Sequence, residues 1–508
     1  MEERLPPAGR GVLFLAVLGA LTQGLGFGYR VVLSRLVGAQ VMGLYHLLMP
    51  VYSILMSLTA VGLTAAVSNL TAQRLALGDR EGGRRILRCA LRVFLLLLLP
   101  MALVVLPASD AISVHLLGDA RTRLGLILLL PCAVFTGVEN LHKHAFYGAG
   151  VVGPPAIVDL LEQLVRAAGV LGLLLLCPPQ YPERTVGLIV TGMILCEIFS
   201  SSILVFFHRR HSSSPPTRGP VYLREIAAIA LPVGLNALLG NLLSAANATL
   251  IPQKLVQAGL SPGQAVSQFG VVCGMTLPLL GLPTVFLGAL NLVLSPRMTR
   301  AFALGRRQEA CRLLHRALDI TGTLILPAMA LMAVLGPDLG RFLYHQPEAG
   351  LYFLPLAAVM AMSSFCCVLC AALNAVGGQR AVALISLAGG GLQLIFTLAL
   401  VPIPEIEMAG YVAGAVVSTG LELFLLLLES ARRLGPLFSP VSWLTAPGLA
   451  ASLAGLTGNL LFRGLKDGGL SSLGAGLAAL LFFLLLYLSA LFAQGIRVRQ
   501  LFSLRKWA

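Results

Sequence analysis

Fourteen stretches of mostly apolar residues follow one another along this chain, and they leave little room for any soluble fold. Crossing a hydrocarbon core of about 30 Å takes about 20 residues in a helix. Stretches of that kind fall near 11–34, 43–70, 88–108, 122–148, 154–177, 186–207, 226–251, 265–295, 313–335, 350–376, 381–402, 409–429, 442–462 and 472–493. The expected fold class is therefore an all-α integral membrane protein of about fourteen transmembrane helices. Composition agrees, because 57% of the 508 residues are hydrophobic and only 11% charged, where a globular domain carries about a quarter.

Lysine and arginine set the orientation. With Met1 in the cytoplasm and the loops alternating, cytoplasmic segments hold 25 of the 36 Lys and Arg, outer segments 8 and the spans 3. The basic clusters Arg74 to Arg92, Arg209 to Arg224, Arg297 to Arg316, Arg432 with Arg433, and Arg497 to Lys506 all fall on one side, as the positive-inside rule requires. Both termini are expected in the cytoplasm, with Trp443 and Trp507 at that interface. Arg4 and Arg10 precede a first span that is long for a signal peptide and lacks an obvious cleavage site. The net charge of +15 then reads as loop arginines anchored on an anionic leaflet. Nucleic-acid binding is not expected, because the basic residues alternate with spans instead of forming one face.

The segment after the second span, ALGDREGGRRILRCAL (76–91), aligns without a gap with ALGRRQEACRLLHRAL (303–318), at an offset of 227 and with 8 identities in 16 positions. At the same offset Pro100 meets Pro327. An offset containing six spans keeps both copies in one orientation, so spans 1–6 and 7–12 read as parallel halves of a transporter. The expected division is an N-terminal lobe at 1–210, a C-terminal lobe at 211–435, and an appended pair of spans with a tail at 436–508. The polar connection HRRHSSSPPTRGP (208–220) is the expected linker.

Ionisable side chains inside a span are costly unless paired or hydrated, and they mark cavities by default. Span 4 ends with Glu139, Asn140, His142, Lys143 and His144, and span 5 carries Asp159, Glu162, Gln163 and Arg166. Positions 159, 162, 163 and 166 share one helical face. The short Gly/Pro-rich turn between the spans predicts antiparallel neighbours. Arg166 lies roughly 18 Å into its span at 1.5 Å per residue. Ion pairs of Glu162 with Arg166 and of Lys143 with Asp159 could simply clip two helices together, an account that serves Arg166 least well at that depth. Span 1 offers Gln23, Tyr29 and Arg30, the last either facing a cavity or snorkelling outward. Tyr45, His46 and Tyr52 form a polar-aromatic stripe suited to sugar contact or to an interfacial belt. Asn236, Asn241 and Asn247 lie in span 7, where asparagine commonly ties helices together. Pro278 and Pro283 imply a kinked eighth span. Glu197 and Glu422 read as deep, isolated carboxylates and candidate proton or cation sites.

Several chemistries are not expected. Cys367 and Cys370 have no second ligand pair nearby, and His142 with His144 lack a third ligand, so no metal site is expected. Walker A, nucleophile-elbow and His-Glu-x-x-His sequences do not occur. No cofactor and no enzymatic reaction are expected.

The blocks GLGFGYRVVLSRLVGAQVMGLYHLLMPVYSIL (24–55), VGLTAAVSNLTAQ (61–73), DLLEQLVRAAG (159–169), 230–283 and VLSPRMTRAFALG (293–305) resemble the multidrug/oligosaccharidyl-lipid/polysaccharide flippase superfamily, and within it the branch of stage V sporulation protein B and polysaccharide exporters. The resemblance implies two six-helix lobes in a V around a cationic cavity. It implies transport of a polyprenyl-pyrophosphate-linked glycan to the outer leaflet of a bacterial cell membrane. Arg30 stands where relatives place a cavity arginine in the segment LGFxxR. The lipid II branch has an acidic residue after the first span's Gly-Ala motif. Here the stretch reads GAQVMGLYH, with no carboxylate, which points away from lipid II to a different glycan or a structural role. The expected headgroup contacts are Arg30 and Arg166, and the sugar path is lined by Tyr45, His46, Tyr52, Asn236 and Asn241. Glu139, Lys143, Asp159, Glu162, Glu197 and Glu422 form the charged and coupling set. The expected partners are the lipid-linked glycan, membrane lipid and a coupling cation, with the chain a monomer. The competing readings are a cation-coupled drug exporter of the same superfamily, a membrane glycosyltransferase or ligase, and a scaffold in envelope or spore-coat assembly.

Overall fold

A computed structural model describes residues 8–178, 181–210, 222–345, 347–435, 440–469 and 471–495. Most of the expected linker, Arg4, Trp507 and the basic tail lie outside those residues. The described chain is helical, with no strand among the described residues. In order, the helices are α1 (Ala8–Met56), α2 (Gly62–Ala76), α3 (Arg80–Ala111), α4 (Arg123–Gly148), α5 (Gly153–Leu176), α6 (Pro182–Arg210), α7 (Leu223–Gln257), α8 (Pro262–Phe269), α9 (Leu277–Leu280), α10 (Phe286–Ala303), α11 (Arg307–Tyr344), α12 (Phe353–Ala375), α13 (Gln379–Leu400), α14 (Met408–Leu434), α15 (Ala446–Asp467) and α16 (Ser472–Ala493).

Eleven helical segments among the described residues are long and apolar enough to cross a bilayer. One of them, Leu21–Ala76, takes in the first expected span from Leu21 onward and the whole of the second. Gly38 (φ 76°, ψ 174°) kinks the helix between those spans, in a conformation only glycine adopts freely. The helix α5 is outside the eleven and carries Asp159, Glu162 and Arg166. The expected fourteen spans are consistent with this arrangement. The eighth span is broken as its prolines require: α8 passes into a π-helical stretch at Gly270–Thr276, then α9, a 3-10 turn at Leu282–Val285, and α10.

The offset of 227 persists in the backbone. The helix α2 ends at Ala76 and α10 at Ala303; α3 begins at Arg80 and α11 at Arg307; α4 ends at Gly148 and α12 at Ala375. Left-handed residues repeat with it: Gly78 and Gly305, Gly118 and His345, Gly150 and Gly377. Each pair closes a corresponding helix end, where the αL conformation frees the chain to turn.

The chain forms two compact units, Met1–Gly274 with Pro402–Glu405, and Met275–Val401 with Ile406–Ala508. In the first, Leu63, Val67, Phe94, Ala133 and Ile226 share one buried cluster drawn from α2, α3, α4 and α7. The helix α7 seats there because Gly62 has no side chain: a Cβ on it would lie 2.1 Å from the Ala230 carbonyl oxygen. The lobe division at 210/211 and 435/436 rests on the repeat rather than on packing, and stays our proposal.

In the second unit, Trp443 departs from expectation. It is 4% exposed, its ring lies 5.2 Å from that of Phe365, and it belongs to the core around Leu314 and Leu369. A π-helical turn at Val441–Thr445 presses it onto α11 at Gly322, where a Cβ would meet the Trp443 carbonyl oxygen. Trp443 is a core residue and not an interfacial anchor.

Candidate functional site

The site is built on α4, α5 and α6. The expectation that α4 and α5 pair directly is corrected, because each packs far more extensively on α6 than on the other. Two glycines let α6 lie that close: a Cβ at Gly187 would come 2.7 Å from Leu124 Cδ2, and one at Gly192 would come 2.5 Å from Val170 Cγ2.

Across these three helices runs a charged chain. Lys143 Nζ lies 2.5 Å from Glu139 Oε1, 2.5 Å from Asp159 Oδ1 and 3.1 Å from Glu162 Oε2. The Arg166 guanidinium bonds Glu162 on its own helix and reaches Glu197 Oε1 on α6 at 3.3 Å. Glu197 also faces the Glu139 carboxyl. Glu139, Glu162 and Glu197 are all buried, while Asp159 is at the edge. Both ion pairs expected from sequence are present, but Glu197 is not isolated. Its Oε2 and the Arg166 Nε are buried without a hydrogen-bond partner among the described residues.

Carboxylate oxygens of Glu139, Asp159 and Glu162 lie within 4.8 Å of one another, close enough to hold a metal ion. The Lys143 ammonium already sits among them, so a fixed side-chain cation does what a metal would do there. The network carries four carboxylates against two cations. A buried excess of negative charge is costly unless protons or cations neutralise it.

The aromatic residues from α1 adjoin this network. Tyr45 donates to Met193 Sδ at 3.5 Å and meets His46 edge-to-face at 5.5 Å. Both Arg30 and Arg166 act electrostatically on Tyr29 and Tyr45, and Arg30 acts on His46. Arg30 is exposed, and among the described residues no carboxylate lies within ion-pair distance of it. Tyr52 packs on the core of α2, α3 and α4, within electrostatic reach of Glu197 and Arg166. Sequence reasoning missed Met193, which touches Tyr45, and Cys196, whose thiol bonds the Glu162 carbonyl at 3.3 Å. Their positions beside Glu197 on α6, four and one residues earlier, were the available signal.

Other candidates lie elsewhere. Asn241 donates to Ser57 Oγ at 2.6 Å and to the Ser53 carbonyl at 3.3 Å, so its amide ties α7 to the chain around the π turn at Ser57–Val61. Asn236 is exposed. Glu422 belongs to the second unit, where it accepts from Ser386 at 2.8 Å.

The second unit provides an internal control. At the offset of 227, Glu139, Lys143, Asp159, Glu162 and Arg166 correspond to Cys366, Cys370, Ser386, Gly389 and Gln393. There α14 packs against both α12 and α13, as α6 does against α4 and α5. In place of ion pairs are hydrogen bonds, from Ser386 to the Glu422 carboxyl and from Ser418 to Gln393. The helical arrangement forms without the charges, so architecture alone does not call for them in the first unit.

Residues 8–300 match the family described as polysaccharide biosynthesis protein. The chain is 25% identical over 434 residues to stage V sporulation protein B of Bacillus subtilis (strain 168), covering 82% of both chains. In fold it is similar to the inward closed conformation of lipid II flippase MurJ, with TM-score 0.70 at 11% identity, covering 96% of this chain and 100% of that one. It is also similar to an inward-facing multidrug resistance MATE family transporter of the MOP superfamily, with TM-score 0.63 at 15% identity, covering 82% and 95%. With more than half its length matched, the chain belongs to the polysaccharide biosynthesis protein family, within the multidrug/oligosaccharidyl-lipid/polysaccharide flippase superfamily.

Proposed function

We propose that the protein is an alternating-access flippase. It carries a polyprenyl-pyrophosphate-linked glycan from the cytoplasmic to the outer leaflet of a bacterial cell membrane, with both termini cytoplasmic, and it acts as a monomer. The observation that carries this reading is the charged constellation present in one copy of the repeat and replaced by neutral residues in the other. Superfamily membership supports transport rather than covalent chemistry. The similarity to stage V sporulation protein B and to the lipid II flippase fold supports a lipid-linked substrate.

Arg30 is the exposed cation of the set and takes the pyrophosphate first, since a guanidinium binds phosphate oxygens bidentately. Arg166 is held by Glu162 and Glu197. It turns to the headgroup only when a proton, or another coupling cation, enters between the facing carboxyls of Glu139 and Glu197 and removes one of their two negative charges. That exchange links headgroup binding to cation entry. Tyr45 and His46 are the proposed contacts of the sugar next to the phosphate. The polyprenyl tail stays in the lipid throughout.

One observation favours a second reading. The excess of carboxylates around Glu197 suits an organic cation, as in a drug exporter of the same superfamily. Purified protein in proteoliposomes separates the two. Movement of a fluorescent lipid-linked glycan with no export of ethidium supports the flippase, and the reverse pattern supports the exporter.

A further inference from the structure

A half-open groove of about 330 Å³ lies in the first unit, between α3, α7 and the π-helical turn at Ser57–Val61. Val93 and Leu97 form one wall, and Ala227, Leu231 and Leu238 the other. Among the described residues its hydroxyls are already bonded: Ser57 donates to the Ser53 carbonyl at 2.7 Å and accepts from Asn241, and Thr59 donates to the Leu55 carbonyl at 2.8 Å. The helices α3 and α7 and the π-helical turn all belong to segments long and apolar enough to cross a bilayer. A groove with no free polar group, at hydrocarbon depth, accepts a hydrocarbon chain and nothing hydrophilic.

One end of the groove is not apolar. Tyr222 directly precedes Leu223, which lines the groove, and its ring carries the Arg74 guanidinium at 4.6 Å and that of Arg85 at 5.9 Å. Residues 85, 89, 93 and 97 share one face of α3, so Arg85 stands on the same stripe as Val93 and Leu97. Arg74 also pairs with Glu225 at 2.6 Å, and Arg85 with Asp79 at 3.5 Å. The segment 74–92 nevertheless carries six arginines against two carboxylates. Basic pockets at the end of transmembrane helices bind anionic lipid headgroups.

We propose that this groove is the seat of one anionic phospholipid, with an acyl chain along Val93, Leu97 and Leu231 and its phosphate at Arg74 and Arg85. The site is separate from the charged network on α4, α5 and α6 and does not rest on the flippase reading. Occupied, it fills the gap beside the π turn and braces α7 against α3.

Photolysis with a diazirine-acyl phosphatidylglycerol tests this on the full-length protein in phosphatidylcholine nanodiscs. Label is expected on peptides spanning Val93–Leu97 and Leu231–Leu238, lowered at least fivefold by excess unlabelled phosphatidylglycerol and not by added phosphatidylcholine. Ala227→Trp, which fills the groove, is expected to lower it similarly, and Arg74→Ala with Arg85→Ala to abolish the preference for phosphatidylglycerol. Equal labelling of α3, α7 and α16, or equal competition by phosphatidylcholine, overturns the proposal. Displacement by a polyprenyl phosphate but not by phosphatidylglycerol also overturns it, and gives the groove to an isoprenoid instead. The competition arms need no variant, so a misfolded substitution does not decide the result.

Discussion

The Lys143 ammonium on α4 sits 2.5 Å from a carboxylate oxygen of Asp159 on α5, and so clips together two helices whose main packing is on α6. The same nitrogen also serves Glu139 and Glu162. Lys143→Met removes the cation, leaving buried Glu139 without its ion-pair partner and buried Glu162 with Arg166 alone. Breaking a buried pair this way typically costs about 3–5 kcal/mol. The apparent melting temperature in detergent should fall sharply, and Glu139→Gln added to Lys143→Met should recover part of the loss. A single variant that melts like the parent contradicts this account of the network.

Replacing the network with neutral residues, drawn from the second unit at positions 139, 143, 159 and 166, tests whether it is architecture or machinery. The combined variant Glu139→Cys, Lys143→Cys, Asp159→Ser, Glu162→Ala, Arg166→Gln and Glu197→Gln is expected to insert and melt within a few degrees of the parent. Replacing buried ionic groups by neutral residues is often close to neutral in stability. Transport should be lost. Retained transport would make the charges dispensable, and failure to fold would make them structural.

His345 holds φ at 55° where the corresponding residue of the first copy is Gly118 at 76°. An L-residue pays about 1–2 kcal/mol for that conformation, partly offset by glycine's greater freedom when unfolded. His345→Gly should therefore stabilise by about 0.5–1 kcal/mol. Gly150→Ala, at φ 73° with open space around its Cβ position, should destabilise by about 1 kcal/mol for the same backbone reason. Chemical denaturation of the two variants in parallel reads both signs.

Asn241 and Asn236 should separate cleanly. Asn241→Ala deletes bonds to Ser57 and Ser53 and should cost about 0.5–1.5 kcal/mol. Asn236→Ala, at an exposed position, should leave stability unchanged and alter transport only if it touches the sugar. Melting temperature and initial flipping rate, measured on both, make the comparison.

Much of this was legible in the sequence, and the reasons are physical. Apolar length marks spans directly, and the ungapped basic repeat anticipated the shared boundaries at Arg80 and Arg307. The i, i+3, i+4, i+7 spacing put Asp159, Glu162 and Arg166 on one face, and the network uses that face. Glu197 looked isolated because its partners come from two other helices. Their approach depends on Gly187 and Gly192, and no local pattern records that. Trp443 was misplaced for a similar reason: whether an indole near a helix end faces headgroups or a neighbouring glycine is decided by the neighbour, here Gly322.

The central claim is that Arg30 and Arg166 carry an anionic headgroup, and initial flipping rates of a fluorescent lipid-linked glycan in proteoliposomes test it most directly. Arg30→Ala is expected to cut the rate at least tenfold, with Arg30→Lys intermediate because a point charge replaces a bidentate donor. Arg166→Ala is expected to lose transport even when combined with Glu162→Gln, which relieves the carboxylate left behind. Full flipping by inserted, monodisperse Arg30→Ala and Arg166→Ala proteins would contradict the account.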